Sequence, residues 1–190
     1  MELTQKLRHI FISDLEKCSP LIEENLKGLL TNSTIPYLEG KDETNVRAFC
    51  FEYDHDDMSI SFYALGEKNE IISDICLLLT EREENHFPSD RYASQEEILE
   101  DLLYETELEE SQIEDLLSEY RKEKLSIFTH WFIARWKNIT EQLNTTIDAY
   151  FSKINAFYKT DLNNLEPISS EEIEEKYNTC LLYTSDAADE

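Results

Sequence analysis

The amino-acid sequence predicts an α+β domain: an N-terminal helical segment, a small antiparallel sheet of about three strands, and C-terminal helices packed on one sheet face. Three observations carry this. Apolar residues recur at helical spacing through the first thirty positions. Two neighbouring runs then carry the aromatic, β-branched and alternating composition of strands. From Ser94 onward the period returns to that of a helix, with paired hydroxyl and carboxylate residues at the expected starts.

In the first segment Leu3, Leu7, Ile10, Phe11, Leu15 and Cys18 share a helical stripe, and Leu21, Ile22, Leu26, Leu29 and Leu30 continue it. Ser19-Pro20 between them predicts a break, with Ser19 capping a second helix and Pro20 at its first position, where a missing N–H costs nothing. Residues 32–44, containing Pro36 and Gly40, are expected to form a loop. Val46 to Tyr53 and Met58 to Leu65 predict two strands, joined as an antiparallel hairpin through the short polar turn Asp54-His55-Asp56-Asp57. The second half of the next apolar run, from about Ile75, supplies a third strand.

Ser94 with Glu97 and Ser111 with Glu114 fit the reciprocal hydrogen bonding that opens a helix. The first helix carries Ile98, Leu99, Leu102 and Leu103. The second carries Ile113, Leu116, Leu117, Tyr120, Phe128, Phe132, Trp136 and Ile139. Beyond Tyr150-Phe151 the pattern weakens, and Ser169 with Glu172 marks a terminal helix.

The last eleven residues, Cys180 to Glu190, resemble a translated tagmentation adapter. Back-translated, they match a transposase end and its read primer along their whole length. Residues 1–179 are therefore expected to be a single acidic domain that lacks its native C-terminus, and residues 180–190 a non-native tail. The chain has a net charge of −25, and removing the tail's Asp186, Asp189 and Glu190 leaves −22. Such a field repels phosphates and anionic membranes, which argues against nucleic-acid and membrane partners. The high aromatic content distinguishes the chain from disordered acidic tails.

Outside the tail there are three cysteines, Cys18, Cys50 and Cys76, with no C-x-x-C spacing. They suit reduced core thiols better than a disulfide framework or a zinc site. The N-terminus has no signal-like apolar region, and a cytoplasmic location is expected.

The clearest constellation is an acidic tract. Between Tyr92 and Tyr120 there is no Lys or Arg, whereas Glu96, Glu97, Glu100, Asp101, Glu105, Glu107, Glu109, Glu110, Glu114, Asp115 and Glu119 are present. Charge runs usually mean a solvated helix face. The sharper reading is a docking face for a basic protein, with Glu100, Asp101, Glu105, Glu107, Glu109 and Glu110 as its contacts. Trp131 joins that set because it lies off the apolar stripe and could face a partner, although core is the ordinary place for it. Arg121, Lys122, Lys124, Arg135 and Lys137 place positive charge later on the same helix, as the helix dipole favours.

Chemistry-bearing motifs are absent. No phosphate-binding loop, nucleophile elbow or metal-ligand spacing occurs, so no catalytic residue, cofactor or metal is assigned. The acidic turn at 54–57 is a solvated turn, since adjacent residues seldom converge on one ion. Cys50 with His55 suggests a nucleophile and base, but a thiol in an apolar strand is raised in pKa and unreactive.

Arg47-Ala-Phe-Cys-Phe-Glu-Tyr53, the acidic turn after it, and Asp148-Ala-Tyr-Phe-Ser152 give the chain a resemblance to small acidic bacterial proteins of unknown function. Some of those are thought to be immunity partners of secreted toxins. The acidic tract and the missing catalytic motifs lead to the expectation of a non-catalytic interaction protein, for example one that neutralises a basic partner such as a nuclease toxin, and the resemblance points the same way. The alternative is an enzyme or small-ligand binder with a pocket between sheet and helices. If Cys180 to Glu190 are non-native, deleting them costs within about 0.5 kcal/mol, as for surface changes away from special features. Melting of the 179- and 190-residue chains tests this, and a loss of several kcal/mol would make the segment part of the fold.

Overall fold

The computed structural model describes residues 2–31, 46–55, 58–78, 97 and 99–185, with side chains from Thr4 to Tyr177. The helices are α1 (Glu2–Thr31), α2 (residues 99–104), α3 (Glu110–Leu143) and α4 (Ser170–Ser185). The strands are β1 (Ala48–Tyr53), β2 (Ile60–Leu65), β3 (Cys76–Leu77), β4 (Asp148–Lys153), β5 (Tyr158–Asp161) and β6 (Pro167–Ser169). The fold is α+β as expected. Residues 32–44, Ser94 and Ile98 lie outside the described residues, and so do the expectations placed on them.

The sheet corrects the expected three antiparallel strands. It has six strands in the order β3-β2-β1-β4-β5-β6, and β1 pairs with β4 in parallel from Ala48 opposite Asp148 to Tyr53 opposite Lys153. The predicted hairpin is present, with β1 and β2 antiparallel from Ala48 opposite Leu65 to Tyr53 opposite Ile60. Cys76–Leu77 adds to its outer edge. What periodicity missed is the second half, β4 to β6. These strands are short, and turns at Asn155 and Leu165, both at positive φ, break their pattern.

Both faces of the central strands are covered, which corrects the expectation of helices on one face. Phe49 and Phe51 of β1 point to α1 and α3, where Phe128, Phe132 and Trp136 meet them. Ala48 and Cys50 point the other way, toward Ile173 and Tyr177 of α4. A strand buried on both sides loses apolar-polar alternation, so β1 and β4 each show four consecutive buried residues. Coverage is staggered at the edge. Leu77 of β3, opposite Ser61 on the α4 side, is exposed.

The aromatic layer sets the geometry of the main core. Phe132 stacks on Phe151 with centroids 4.3 Å apart, and Phe51 lies 5.3 Å from both Phe132 and Trp136. Such offset and tilted contacts add about 0.5–1.5 kcal/mol per pair beyond area burial. Because Phe51 and Phe151 sit opposite each other in the parallel register, one face of α3 clamps both strands.

α1 is a single helix through Pro20, which corrects the predicted break. Ser19 is not a cap there. Its hydroxyl donates back to the Leu15 carbonyl and accepts the Trp131 indole N–H at 2.9 Å. α1 and α3 run in the same direction, since Arg8 pairs with Glu123, Ser19 with Trp131, and Glu23 with both Arg135 and Asn138. This lateral support along the full length holds the helix across a residue that cannot donate to Glu16. A helix-interior proline costs about 3 kcal/mol. Pro20→Ala is accordingly expected to stabilise the protein by about 1–3 kcal/mol in denaturant unfolding, whereas a neutral or destabilising result would fit two helices meeting at Pro20.

Candidate functional site

The acidic tract forms a corner built by α2, the turn at 105–109 and the start of α3. Leu99 and Leu103 of α2 are buried against Leu7 of α1 and Ile113, Leu117 and Tyr120 of α3. This small cluster fixes the corner without the sheet. Thr106 closes α2 by donating its hydroxyl to the Leu103 carbonyl. α3 then starts at Glu110, with Glu109 as its cap, and the Gln112 side chain accepts the Glu109 N–H at 3.0 Å. The opening bond therefore uses Glu109 and Gln112 in place of Ser111 and Glu114. The local reason is that a Gln three positions along reaches the cap N–H as well as Glu does.

Six of the seven residues singled out in the sequence come together here. Asp101, Glu105, Glu107, Glu109 and Glu110 are exposed, and Glu100 is half-buried. Glu110 in the first turn is favourably placed for the dipole. Sequence reasoning placed Leu102 in the buried stripe and did not single out Tyr104 and Leu108, the other apolar members of the same corner. Leu102, Tyr104 and Leu108 are 39%, 54% and 38% exposed and interleave with the carboxylates. Leu102 belongs to the apolar stripe the sequence shows and lies at its exposed edge, whereas Tyr104 and Leu108, at the end of α2 and in the turn after it, stand outside that stripe.

Trp131 lies elsewhere. It is only 6% exposed, stacked 5.7 Å from Phe128, with its N–H held by Ser19. Its edge forms the floor of a groove of about 400 Å³ between α1 and α3, shared with Ile12, Leu15, Ile127 and Ala134. Of the basic residues after the tract, Arg135 binds Glu23 of α1 at 3.2 Å and Lys124 is buried.

The α4 side of the sheet holds two polar clusters that the sequence did not reveal. In the first, Lys159 of β5 donates to Glu52 of β1 at 2.7 Å and to Ser152 of β4 at 3.3 Å, and Tyr63 of β2 donates to the same Glu52 oxygen. In the second, Asp148, Tyr150, Lys176 and Tyr177 close a ring. Tyr177 Oη lies 3.0 Å from Tyr150 Oη and from Asp148 Oδ2, and Lys176 Nζ lies 2.9 Å from Asp148 and 3.4 Å from Tyr150. The residues of each cluster come from distant parts of the chain, so no local spacing announces them.

Neither cluster is arranged for nucleophilic chemistry. Burial pushes the Cys50 thiol up to about 11, and its hydrogen-bonding neighbour is Tyr63. His55 sits in the turn beyond the strand, 3.7 Å from Asp54. Among the described residues, no group of three or more His, Cys, Asp or Glu could hold a metal ion. No family model, curated protein or solved structure matches the chain.

The tyrosine hydroxyls and the Lys176 ammonium on the α4 side are all shifted upward. Burial, then Tyr150 and Asp148, raise Tyr177; burial, then Cys50 and Glu52, raise Tyr63; and burial raises Tyr150 against the opposing pull of Tyr177 and Lys176. For Lys176 burial acts downward, but Asp148 and Tyr150 outweigh it and hold the ammonium above its ordinary value. A group raised in the folded state contributes stability that is complete below its unfolded pKa and is lost as pH rises through the folded one. Stability should therefore begin to fall above about pH 8.5, where unfolded thiols ionise, and fall further above about pH 10 with tyrosine and lysine. Denaturant midpoints across pH 7–11 test this: replacing all cysteines should move the onset to about pH 10. Rising stability over that range would contradict the assignment.

Proposed function

We propose that this chain is a non-catalytic protein-interaction module that docks a basic partner at the corner formed by α2, the 105–109 turn and the start of α3. One observation carries the proposal: Leu102, Tyr104 and Leu108 are exposed among six carboxylates at a corner held by its own apolar cluster. Exposed apolar side chains supply desolvation energy, and surrounding acids supply attraction and orientation. A purely solvated face has no need of the apolar members. A toxin neutralised by an immunity partner is one setting for such a surface, with carboxylates covering its basic site. No described helix is long and apolar enough to cross a membrane, and a cytoplasmic setting is part of the same proposal.

The alternative, a small-ligand binder, has an observation of its own in the groove between α1 and α3. That groove is mostly apolar, with Glu16, Ser126, His130 and Arg135 at its margins. It opens between the two helices, whereas the space between helices and sheet is filled by Phe51, Phe128, Phe132, Trp136 and Phe151. The corner supports the interaction reading more directly because apolar and charged groups coincide there.

The test uses a panel of basic proteins, including small nucleases, with association followed by surface resonance or stopped flow. For a partner that binds, neutralising Glu105, Glu107, Glu109 and Glu110 together is expected to slow association by about tenfold or more at low salt, with the gap closing as salt rises. Tyr104→Ala should mainly speed dissociation. An unchanged association rate would return these carboxylates to solvation.

A further inference from the structure

We infer that the groove between α1 and α3 binds a small amphipathic amine, with its apolar body on Leu15 and Trp131 and its ammonium held by Glu16. The site shares no residue with the α2–α3 corner, so it stands or falls apart from the reading of that surface. The groove encloses about 400 Å³, at the lower end for small-molecule sites, and its apolar lining is Ile12, Leu15, Ile127, Trp131 and Ala134.

The two helices are tied across the groove at two levels. Arg8 pairs with Glu123 at one, and Arg135 and Asn138 hold Glu23 at the other. Arg8, Ile12, Glu16 and Glu23 recur at helical spacing on α1, as do Glu123, Ile127, Ala134 and Asn138 on α3, so the ties lie on the same stripes as the groove. Between the ties α3 presents Ser126 and Ala134, both small and exposed, which leaves the space above Trp131 open. Trp131 cannot rise to fill it, because its N–H is held by Ser19 at 2.9 Å and its ring stacks on Phe128. A third helix laid along this line would have to cross both ties, whereas a discrete small molecule fits between them.

The margin of the groove decides which polar group its occupant carries. Glu16 is exposed and, among the described residues, forms no ion pair; Ser19 Oγ approaches it at 3.5 Å. His130 Nδ1 lies 2.7 Å from the Ser126 carbonyl oxygen, which can only accept, so the neutral ring carries its proton there and Nε2 is an acceptor. Arg135 is committed to Glu23 at 3.2 Å, and its Nε is buried out of reach. The groups left to a ligand are a carboxylate, an imidazole acceptor and the Ser126 hydroxyl, which accepts as readily as it donates. A positively charged donor suits all three. The net charge of −25 acts in the same direction, drawing cations and repelling anions.

The experiment follows the indole N–H signals of the full chain by NMR. The chain has two tryptophans, and Trp136, 1% exposed in the aromatic core, is the internal control for Trp131. The probes are phenethylamine, the neutral phenethyl alcohol and the anionic hydrocinnamate, titrated into the millimolar range at about 0.15 M salt, where distant charges are screened. Phenethylamine is expected to move the Trp131 signal saturably while Trp136 stays in place, and to bind about tenfold tighter than the alcohol, with hydrocinnamate weakest. Glu16→Gln should bring the amine down to about the affinity of the alcohol. Ala134→Leu, a larger side chain at an exposed helical position, should weaken amine and alcohol alike by about tenfold or more. Neutralising Glu105, Glu107, Glu109 and Glu110 together should leave the amine titration unchanged. The inference falls if no probe moves Trp131, if the alcohol or hydrocinnamate binds as well as the amine, or if either groove variant leaves the titration as it was. A loss in the corner variant equal to that in Glu16→Gln would also overturn it, because the field of the whole chain would then account for the binding.

Discussion

The parallel pairing of β1 with β4 is the constraint on which the rest of this structure depends. Parallel neighbours cannot be joined by a tight turn, so the chain between them must leave the sheet and return. Here, after β2 and β3 extend the sheet on one side, the connection runs through α2 and the long helix α3. The register places Phe51 beside Phe151, and the face of α3 carrying Phe132 and Trp136 lies over both. One helix thus holds together two strands that are about a hundred positions apart. Once that pair is set, β2 adds to one side by the hairpin and β5 to the other through the turn at Asn155.

The polar groups inside the molecule follow the same logic of partner supply. Ser19 looked like a helix start because proline follows it, yet its hydroxyl is committed to Trp131 on a neighbouring helix and to Leu15 within its own. An indole N–H facing the interior needs an acceptor, and a hydroxyl supplies one without adding charge. Lys159 enters the α4 side only because Glu52 and Ser152 receive it. Among the described residues, the carboxylates of the corner at α2 and α3 are mostly on the outside.

That corner and the sheet face under α4 are different kinds of surface. The corner combines charge, which acts over about 8–10 Å at physiological salt, with apolar groups that act only on contact. It is independent of the sheet, being fixed by Leu7, Leu99, Leu103, Ile113 and Leu117. α4 instead shields an apolar sheet face, with Ile173 and Tyr177 among its described contacts. The two lie on opposite layers, so changes at one can be made without touching the other.

Much of the local structure was legible in the sequence, because helices and hairpins depend on near neighbours. The apolar stripe of α3, the β1–β2 hairpin and the opening of α4 by Ser169 and Glu172 all follow from spacing within a few residues. The carboxylates of the α2–α3 corner were visible for the same reason: they are consecutive in the chain. Tertiary structure decided what depends on distant partners. It made β1 and β4 parallel neighbours, brought Asp148 and Tyr150 to Lys176 and Tyr177, and turned Trp131 inward to Ser19. It also carried α1 through Pro20, since the missing backbone bond is outweighed by packing along α3. Local pattern records a residue's own preference, whereas these outcomes depend on which other surface arrives to bury it.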